Sequence, residues 1–426
     1  MLDQSKKAGV INIGSYCELS INGIHLFAVK NTFSGTHLRL FSPLEFIRVK
    51  ENLDEDERLL FRTSVNKART RLEILGCSEE KLKTYFKSGL EYQQSNNLEH
   101  NCDDDDEQMY YRDLTFENYS NCLRSILEIS NLDIYNDDIM KIYPHLSIQP
   151  ISKVIIEKLS SGGYLNPFFY DEIYENEEHL LDYLLDIYMC LINSQDDTFV
   201  EYDLTHIIHG RWVDEFEVLK YYDNFMDTTV IVTEGKTDIK ILSRSLEILF
   251  PEYKHLFTFF DFHNYKADGG ASYLTKLIKS FSAARIRNRI VAVFDNDTAA
   301  EAEIQSLLTI PILKNIKIIK LPKLDFCSSY PTLGPTGKSY LDINGLAVSI
   351  ELFFGEDIIK NNHEFFPIKW TNYVEKLDMY QGSIVNKGEL IIKMEEKLNN
   401  PDLNNQDWSK LILLWESIFL ADLSAN

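Results

Sequence analysis

Two aspartates, Asp295 and Asp297, stand one residue apart in IVAVFDNDTAA, where a short apolar run ends. Further back, VTEGKTDIKIL closes another apolar run with Glu234, followed by Gly235 and then Asp238. Both runs read as buried strands rich in β-branched residues. If the two strands are neighbours, three or four carboxylates meet at one sheet edge. At ~5 Å and an effective dielectric of about 20, each ionised pair repels by roughly 3 kcal/mol. Structure alone gives little reason for such a cluster, and a divalent cation removes the repulsion. Mg²⁺ takes hard oxygen ligands, typically one or two carboxylates with water and substrate phosphate. In an extended segment residues i and i+2 point the same way, so Asp295 and Asp297 can face one ion while Asn296 turns aside. Gly235 permits a close backbone approach at the turn, and the helix that follows offers its N-terminus to phosphate. The competing reading makes Glu234, Asp295 and Asp297 helix caps and lets Asp238 pair with a lysine on its helix.

The elements that must hold these residues follow from periodicity. TTVIVTE, FTFFDF, IVAVFD and NIKIIKLP read as strands. KTDIKILSRSLEILF, GGASYLTKLIKSFSAA and TAAEAEIQSLL read as the helices between them. This alternation predicts a four-stranded parallel sheet flanked by helices, with function at the carboxyl ends of its strands. Towards the N-terminus, YCELSINGIHLFAVK places alternating runs either side of Asn22-Gly23 and predicts a β-hairpin over Tyr16 to Lys30. EDERLLFRTSVNKARTRLEIL has helical spacing, SEEKLKTYFKSGLEY opens on a helix-capping serine, and Tyr119 to Asp223 reads as mostly helical. Gln93 to Asp113, with NCDDDDEQ, reads as a solvated loop without a liganding pattern. Ser328 to Gly345 is turn-rich, and a mixed helical segment follows it. The organisation expected is a hairpin-then-helical domain at 1–225, an α/β domain at 226–395 and a helical tail at 396–426.

Composition bounds the partners. The 426 residues carry a net charge of −23, which disfavours casual nucleic-acid binding. From Thr228 to Asp342, however, 15 Lys and Arg face 12 Asp and Glu, a local +3 that leaves −26 elsewhere. Lys236 stands at the mouth of the expected site, and Arg285, Arg287 and Arg289 alternate before the third strand. Each could meet a nucleic-acid backbone or simply be solvated. The six cysteines are scattered with no C-x-x-C pair, which argues against a zinc ribbon and for reduced thiols. The absence of a signal-peptide pattern or a membrane-length apolar run makes a cytoplasmic protein the expectation. GPTGKS lacks the first glycine of a P-loop, since Thr332 occupies that place. His206 and His209 share a helix face without a companion acid motif, and a structural role is preferred. The stripe in WSKLILLWESIFL reads as core or interface.

The Glu-Gly-x-x-Asp motif at Glu234 and the Asp-x-Asp motif at Asp295, in this order on these elements, resemble a TOPRIM domain, the fold shared by topoisomerases, primases and the OLD family of nucleases. The resemblance implies Mg²⁺- or Mn²⁺-dependent chemistry at phosphodiesters, with Glu234, Asp238, Asp295 and Asp297 as metal ligands. YPTLGPTGKSYLDINGLAVSIELFF and VNKGELIIKMEEKL resemble segments of OLD-like TOPRIM nucleases that contribute a further acid and a lysine. They imply Glu351 as a catalytic and metal-binding acid and Lys387 as the neutraliser of developing charge. IGSYCELSINGIHLFAVKN resembles the N-terminal domain of HEPN/Toprim-associated proteins, a group linked with anti-phage defence. The Arg-to-His spacing of HEPN ribonucleases is missing, so catalysis would fall to the TOPRIM acids. The expected activity is a metal-dependent endonuclease acting on DNA or RNA as a toxic defence effector. A non-catalytic sensor or assembly platform is the alternative. A primase would bring a zinc module and a topoisomerase a larger clamp. A partner ATPase and a homo-oligomer are left open, and no membrane partner is expected.

Overall fold

A computed structural model describes residues 14–50, 57–100, 114–132, 136, 138–148, 150–160, 180–224, 228–262, 269–335, 337–375 and 377–421. The chain divides into two compact units, Met1–Met226 and Asp227–Asn426. The acidic run at 103–107 lies outside the described residues.

The first unit is built on five antiparallel strands: β1 (Tyr16–Ile21), β2 (Ile24–Lys30), β3 (Phe46–Val49), β4 (Arg58–Ser64) and β5 (Phe199–Asp203). Their order is β2-β1-β5-β4-β3. The expected hairpin is present, with Asn22 and Gly23 at φ 55° and 75° in its turn. The expectation of a mostly helical remainder needs correcting. Arg58–Ser64 is a strand, and the helix begins only at Val65, where Ser64 Oγ accepts the N–H of Lys67. Phe199–Asp203, inside the stretch read as helical, is the central strand. Cross-strand charge accompanies the pairing, beside the burial of Val200 and Tyr202. Arg58 reaches Asp203 at 2.9 Å, and Arg62 reaches Glu201 at 2.6 Å. The helix Glu79–His100 also runs on through the first part of the expected loop. Phe41, Phe61 and Tyr202 are buried in the core of this unit.

The second unit opens with the expected sheet. Strands β6 (Thr229–Thr233), β7 (Phe257–Phe259), β8 (Ile290–Phe294) and β9 (Ile316–Lys320) are all parallel, in the order β9-β8-β6-β7. The first and third strands are therefore neighbours. All five residues of β8 are buried, as an apolar run covered on both faces should be. Helices α1 (Lys236–Leu249), α2 (Ala271–Ala283) and α3 (Thr298–Leu307) connect the strands.

Beyond the parallel sheet the structure departs from the expected turns and helices. Strands β10 (Tyr330–Gly334), β11 (Gly337–Leu341), β12 (Ile368–Val374) and β13 (Met379–Ile384) form a second sheet, ordered β11-β10-β12-β13. Gly334 and Gly337 of GPTGKS pair across the β10–β11 hairpin, so a strand and not a phosphate-cradling helix follows. Helices α4 (Lys387–Asn399) and α5 (Ser409–Leu420) close the chain. The last helix, which the sequence set apart as a tail, packs into this unit. Trp415 is buried and donates to Ser245 Oγ at 3.0 Å.

No disulfide joins the described cysteines, which are buried. Among the described residues no helix is long and apolar enough to cross a membrane.

Candidate functional site

The parallel pairing of β6 with β8 sets Thr233 opposite Val293, so both strands finish at one edge. Glu234 follows β6 there, and its Oε1 accepts the backbone N–H of Asp295 at 3.0 Å. Gly270, at the head of α2, donates its N–H to the carbonyl of Glu234 at 2.6 Å. A Cβ at the preceding Gly269 would come within 2.9 Å of that carbonyl, so glycine allows this approach. Asp238, in the first turn of α1, accepts the N–H of Gly235 at 3.0 Å.

After Asp295 the chain pairs again. Asn296 and Asp297 lie antiparallel to Val348 and Ala347, which draws the segment after Val348 to the same edge. Asp297 is the cap of α3, with Oδ1 accepting from Ala300 at 2.8 Å. Its Oδ2 accepts from Gln381 Nε2 at 2.5 Å. Gln381 Oε1 in turn accepts the N–H of Ala299 at 2.9 Å.

Glu351 is wholly buried in a short 3₁₀ turn. Ser349 Oγ donates to its Oε2 at 2.5 Å. Lys387, the first residue of α4, sets its ammonium 2.9 Å from Glu351 Oε1.

The acids of this edge feel one another. Burial first, then Glu234, Asp238, Asp297 and Glu351, pushes the pKa of Asp295 well above the usual carboxylate range. Burial, with Asp297 and Asp238, lifts Glu234 to about 7, against the Asp295 N–H and Lys387. Burial, with Glu351, lifts Asp238 to about 6. Burial pulls the Lys387 ammonium down, but Glu351, followed by Asp295 and Asp238, outweighs it and the net shift is upward. Among the described residues the lysine that these acids draw on directly is Lys387.

The structure thus gathers Glu234, Asp238, Asp295, Asp297, Glu351 and Lys387 at one edge. Lys236 is exposed as the first residue of α1. Arg285, Arg287 and Arg289 are not brought to this edge. They precede β8 and lie at the opposite, amino end of the sheet, about 16 Å away across a five-residue strand. Ser349 and Gln381, which orient Glu351 and Asp297, carry no recognisable signal in the sequence.

The donor set is all oxygen, as a hard divalent cation prefers. Among the described residues no three His, Cys, Asp or Glu side chains are drawn into a ready cage. Water and substrate oxygens would therefore complete any shell, as is usual for Mg²⁺.

Comparison with protein families matches residues 13–226 to HEPN/Toprim N-terminal domain 1. The match ends where the first compact unit ends. Neither the comparison with curated proteins nor that with solved structures gives a match. With half of its length accounted for in this way, the chain belongs to the HEPN/Toprim N-terminal domain 1 family.

Proposed function

We propose that the protein is a divalent-metal-dependent phosphodiester hydrolase, a TOPRIM-type nuclease whose acids lie at the carboxyl edge of the parallel sheet. The observation that carries this reading is the hydrogen bond from Asp295 N–H to Glu234. It pins the Glu234 carboxylate of one motif to the backbone of the other, among acids that raise one another's pKa. Glu234, Asp295 and Asp297 would hold Mg²⁺ or Mn²⁺, with Asp238 and Glu351 beside them. When bound, such an ion supplies Lewis-acid polarisation of a phosphoryl oxygen and a water of lowered pKa.

The chain's own residues do the rest. Glu234, lifted to about 7 by burial in the metal-free site, would relay a proton at a carboxylate oxygen that does not hold the ion. Lys387, kept charged by Glu351, can answer the negative charge that gathers on phosphate oxygens. Gln381 and the N–H of Ala300 hold Asp297 in one orientation.

We place this activity in anti-phage defence as a toxic effector. The family membership and the acidic remainder of the chain, which disfavours casual nucleic-acid binding, support that assignment. Equal cleavage of cellular nucleic acid with and without infection would remove it.

One observation favours a second reading, a non-catalytic platform: the described acids form no three-ligand cage. Labelled DNA and RNA incubated with Mg²⁺ or Mn²⁺ separate the two. Wild type should cut, whereas Glu234→Gln, Asp295→Asn and an EDTA control should not. No cleavage of any substrate, with no Mg²⁺ binding by calorimetry, would establish the platform instead.

A further inference from the structure

Strands β12 and β13 carry three aromatic rings in a row. Trp370 and Tyr380 have ring centroids 6.0 Å apart, and Tyr380 and Tyr373 have centroids 5.0 Å apart. Trp370 and Tyr373 are three residues apart, so a regular strand would send them to opposite faces. A bulge prevents this. Trp370 pairs with Gly382 and Asn372 with Gln381, leaving Thr371 as the extra residue. The parity shifts by one and Tyr373 rejoins Trp370 on a single face.

This face is buried at one end, where Thr332, Ile368 and Ile384 lie. It runs out of the core at the other. Trp370 lies over two glycines of the neighbouring strands, Gly334 and Gly382. Beyond it Tyr380 is 57% and Tyr373 47% exposed. Energetically this is an unusual use of surface, since burying such rings would gain free energy.

The row is joined to the acidic edge. The carbonyl of Tyr380 accepts from Thr298 Oγ1 at 2.7 Å, and the next residue, Gln381, holds Asp297. Three half-covered rings offer on the order of 300 Å², well short of the roughly 800 Å² per partner that a stable protein interface takes. Flat π-faces of this kind do suit nucleobases, which stack on aromatic side chains whatever their sequence. Two acids stand in the turn beyond Tyr373, Glu375 and Asp378, and Asp378 accepts the Tyr373 hydroxyl.

We propose that the Trp370–Tyr380–Tyr373 row is a base-stacking platform that delivers single-stranded nucleic acid to the acidic edge. The proposal rests on the phosphodiester reading of that edge and adds the strandedness of its substrate. A duplex keeps its bases stacked inside and cannot lay them on the row.

The test measures binding, not cleavage. Fluorescein-labelled oligo-dT, oligo-U and a duplex of equal length are titrated by anisotropy in EDTA with the full-length protein. Single strands should bind more tightly than the duplex, and the two single-stranded arms distinguish DNA from RNA. Tyr380→Ala and Trp370→Ala should each weaken single-strand binding about 10-fold, whereas Tyr380→Phe and Trp370→Phe keep a ring and should retain most of it. Tyr340, 62% exposed on the other face of the same sheet, gives the control Tyr340→Ala, which should bind normally. Binding unchanged in both alanine variants, a duplex bound as tightly as single strands, or self-association abolished by the same variants would overturn the platform. Cleavage by wild type that is indifferent to these rings removes the platform and leaves the nuclease. Ring-dependent binding without any cleavage removes the nuclease and leaves the platform.

Discussion

Glu234 Oε1 accepts the backbone N–H of Asp295 at 3.0 Å, so the carboxylate that ends one strand is pinned to the turn that ends its parallel neighbour. In the metal-free protein burial of the acids at this edge outweighs that hydrogen bond and leaves a pH signature. Glu234 is lifted to about 7 from 4.5, and Asp238 to about 6 from 3.8. The folded state binds these protons more tightly than the unfolded chain. The associated stability is complete below the unfolded values and is lost as pH rises through the folded ones. In EDTA, Glu234→Gln should therefore gain on wild type between roughly pH 4.5 and 7, by on the order of 2 kcal/mol at the upper end. Thermal melts of both proteins across that window check it, and a constant difference in melting temperature is the contrary result.

The ion pair between Lys387 and Glu351 is unequal, because the acid is buried and the lysine is about half exposed. Removing the lysine leaves a buried charge with only Ser349 to hold it. Lys387→Met should destabilise the metal-free protein by about 1–3 kcal/mol. Adding Glu351→Gln should restore part of that loss, since an amide needs no counter-charge. Urea unfolding of the two single variants and the double closes the cycle. Strict additivity would mean that the pair does not interact.

The parallel sheet was legible because its strands are buried on both faces and its helices amphipathic, so local pattern and tertiary role coincide. The β6–β8 adjacency entered only as a condition of the carboxylate argument, and the structure meets it. Phe199–Asp203 was not legible. Its five residues form a strand through ladders to β1 and β4, burial of Val200 and Tyr202, and the meeting of Arg58 and Arg62 with Asp203 and Glu201, pairings across more than a hundred residues. The second sheet was hidden for a related reason. β11 is exposed along its whole length, and β12 keeps its faces consistent through a bulge at Thr371, so neither shows clean alternation. Gln381 belongs to the site through one side chain, and nothing in YQGSIV marks it. Glu351 and Lys387 were reached through family resemblance rather than from any property of their neighbours.

In the first unit, Gly23 sits at φ 75° in the β1–β2 turn, and a Cβ there would meet Asn131 Oδ1 at 2.1 Å. The same turn is tied down by Asn22 Nδ2, which donates to the carbonyl of Leu127, and by Asn131 N–H, which donates to Asn22. Gly23→Ala carries both the left-handed strain and the clash. It should cost about 1–2 kcal/mol or more. Denaturant melts followed in the isolated variant measure it, and an unchanged midpoint would show that the turn relaxes freely.

Gln381 holds Asp297 with its amide nitrogen and the head of α3 with its amide oxygen. It touches no reacting group and acts by positioning. Gln381→Ala frees Asp297 Oδ2 without adding charge, and supporting partners of metal-binding carboxylates typically matter 10–100-fold. The loss should appear as a higher Mg²⁺ requirement, with cleavage approaching wild type as Mg²⁺ rises. Gln381→Glu is the sharper variant. It keeps the size but sets a sixth carboxylate against Asp297, so it should need still more Mg²⁺ and melt earlier in EDTA, while added Mg²⁺ narrows the gap. A purely structural role would lower the melting temperature and the amount of active protein but leave the Mg²⁺ dependence of cleavage where wild type has it. That outcome in both variants would remove Gln381 from the site.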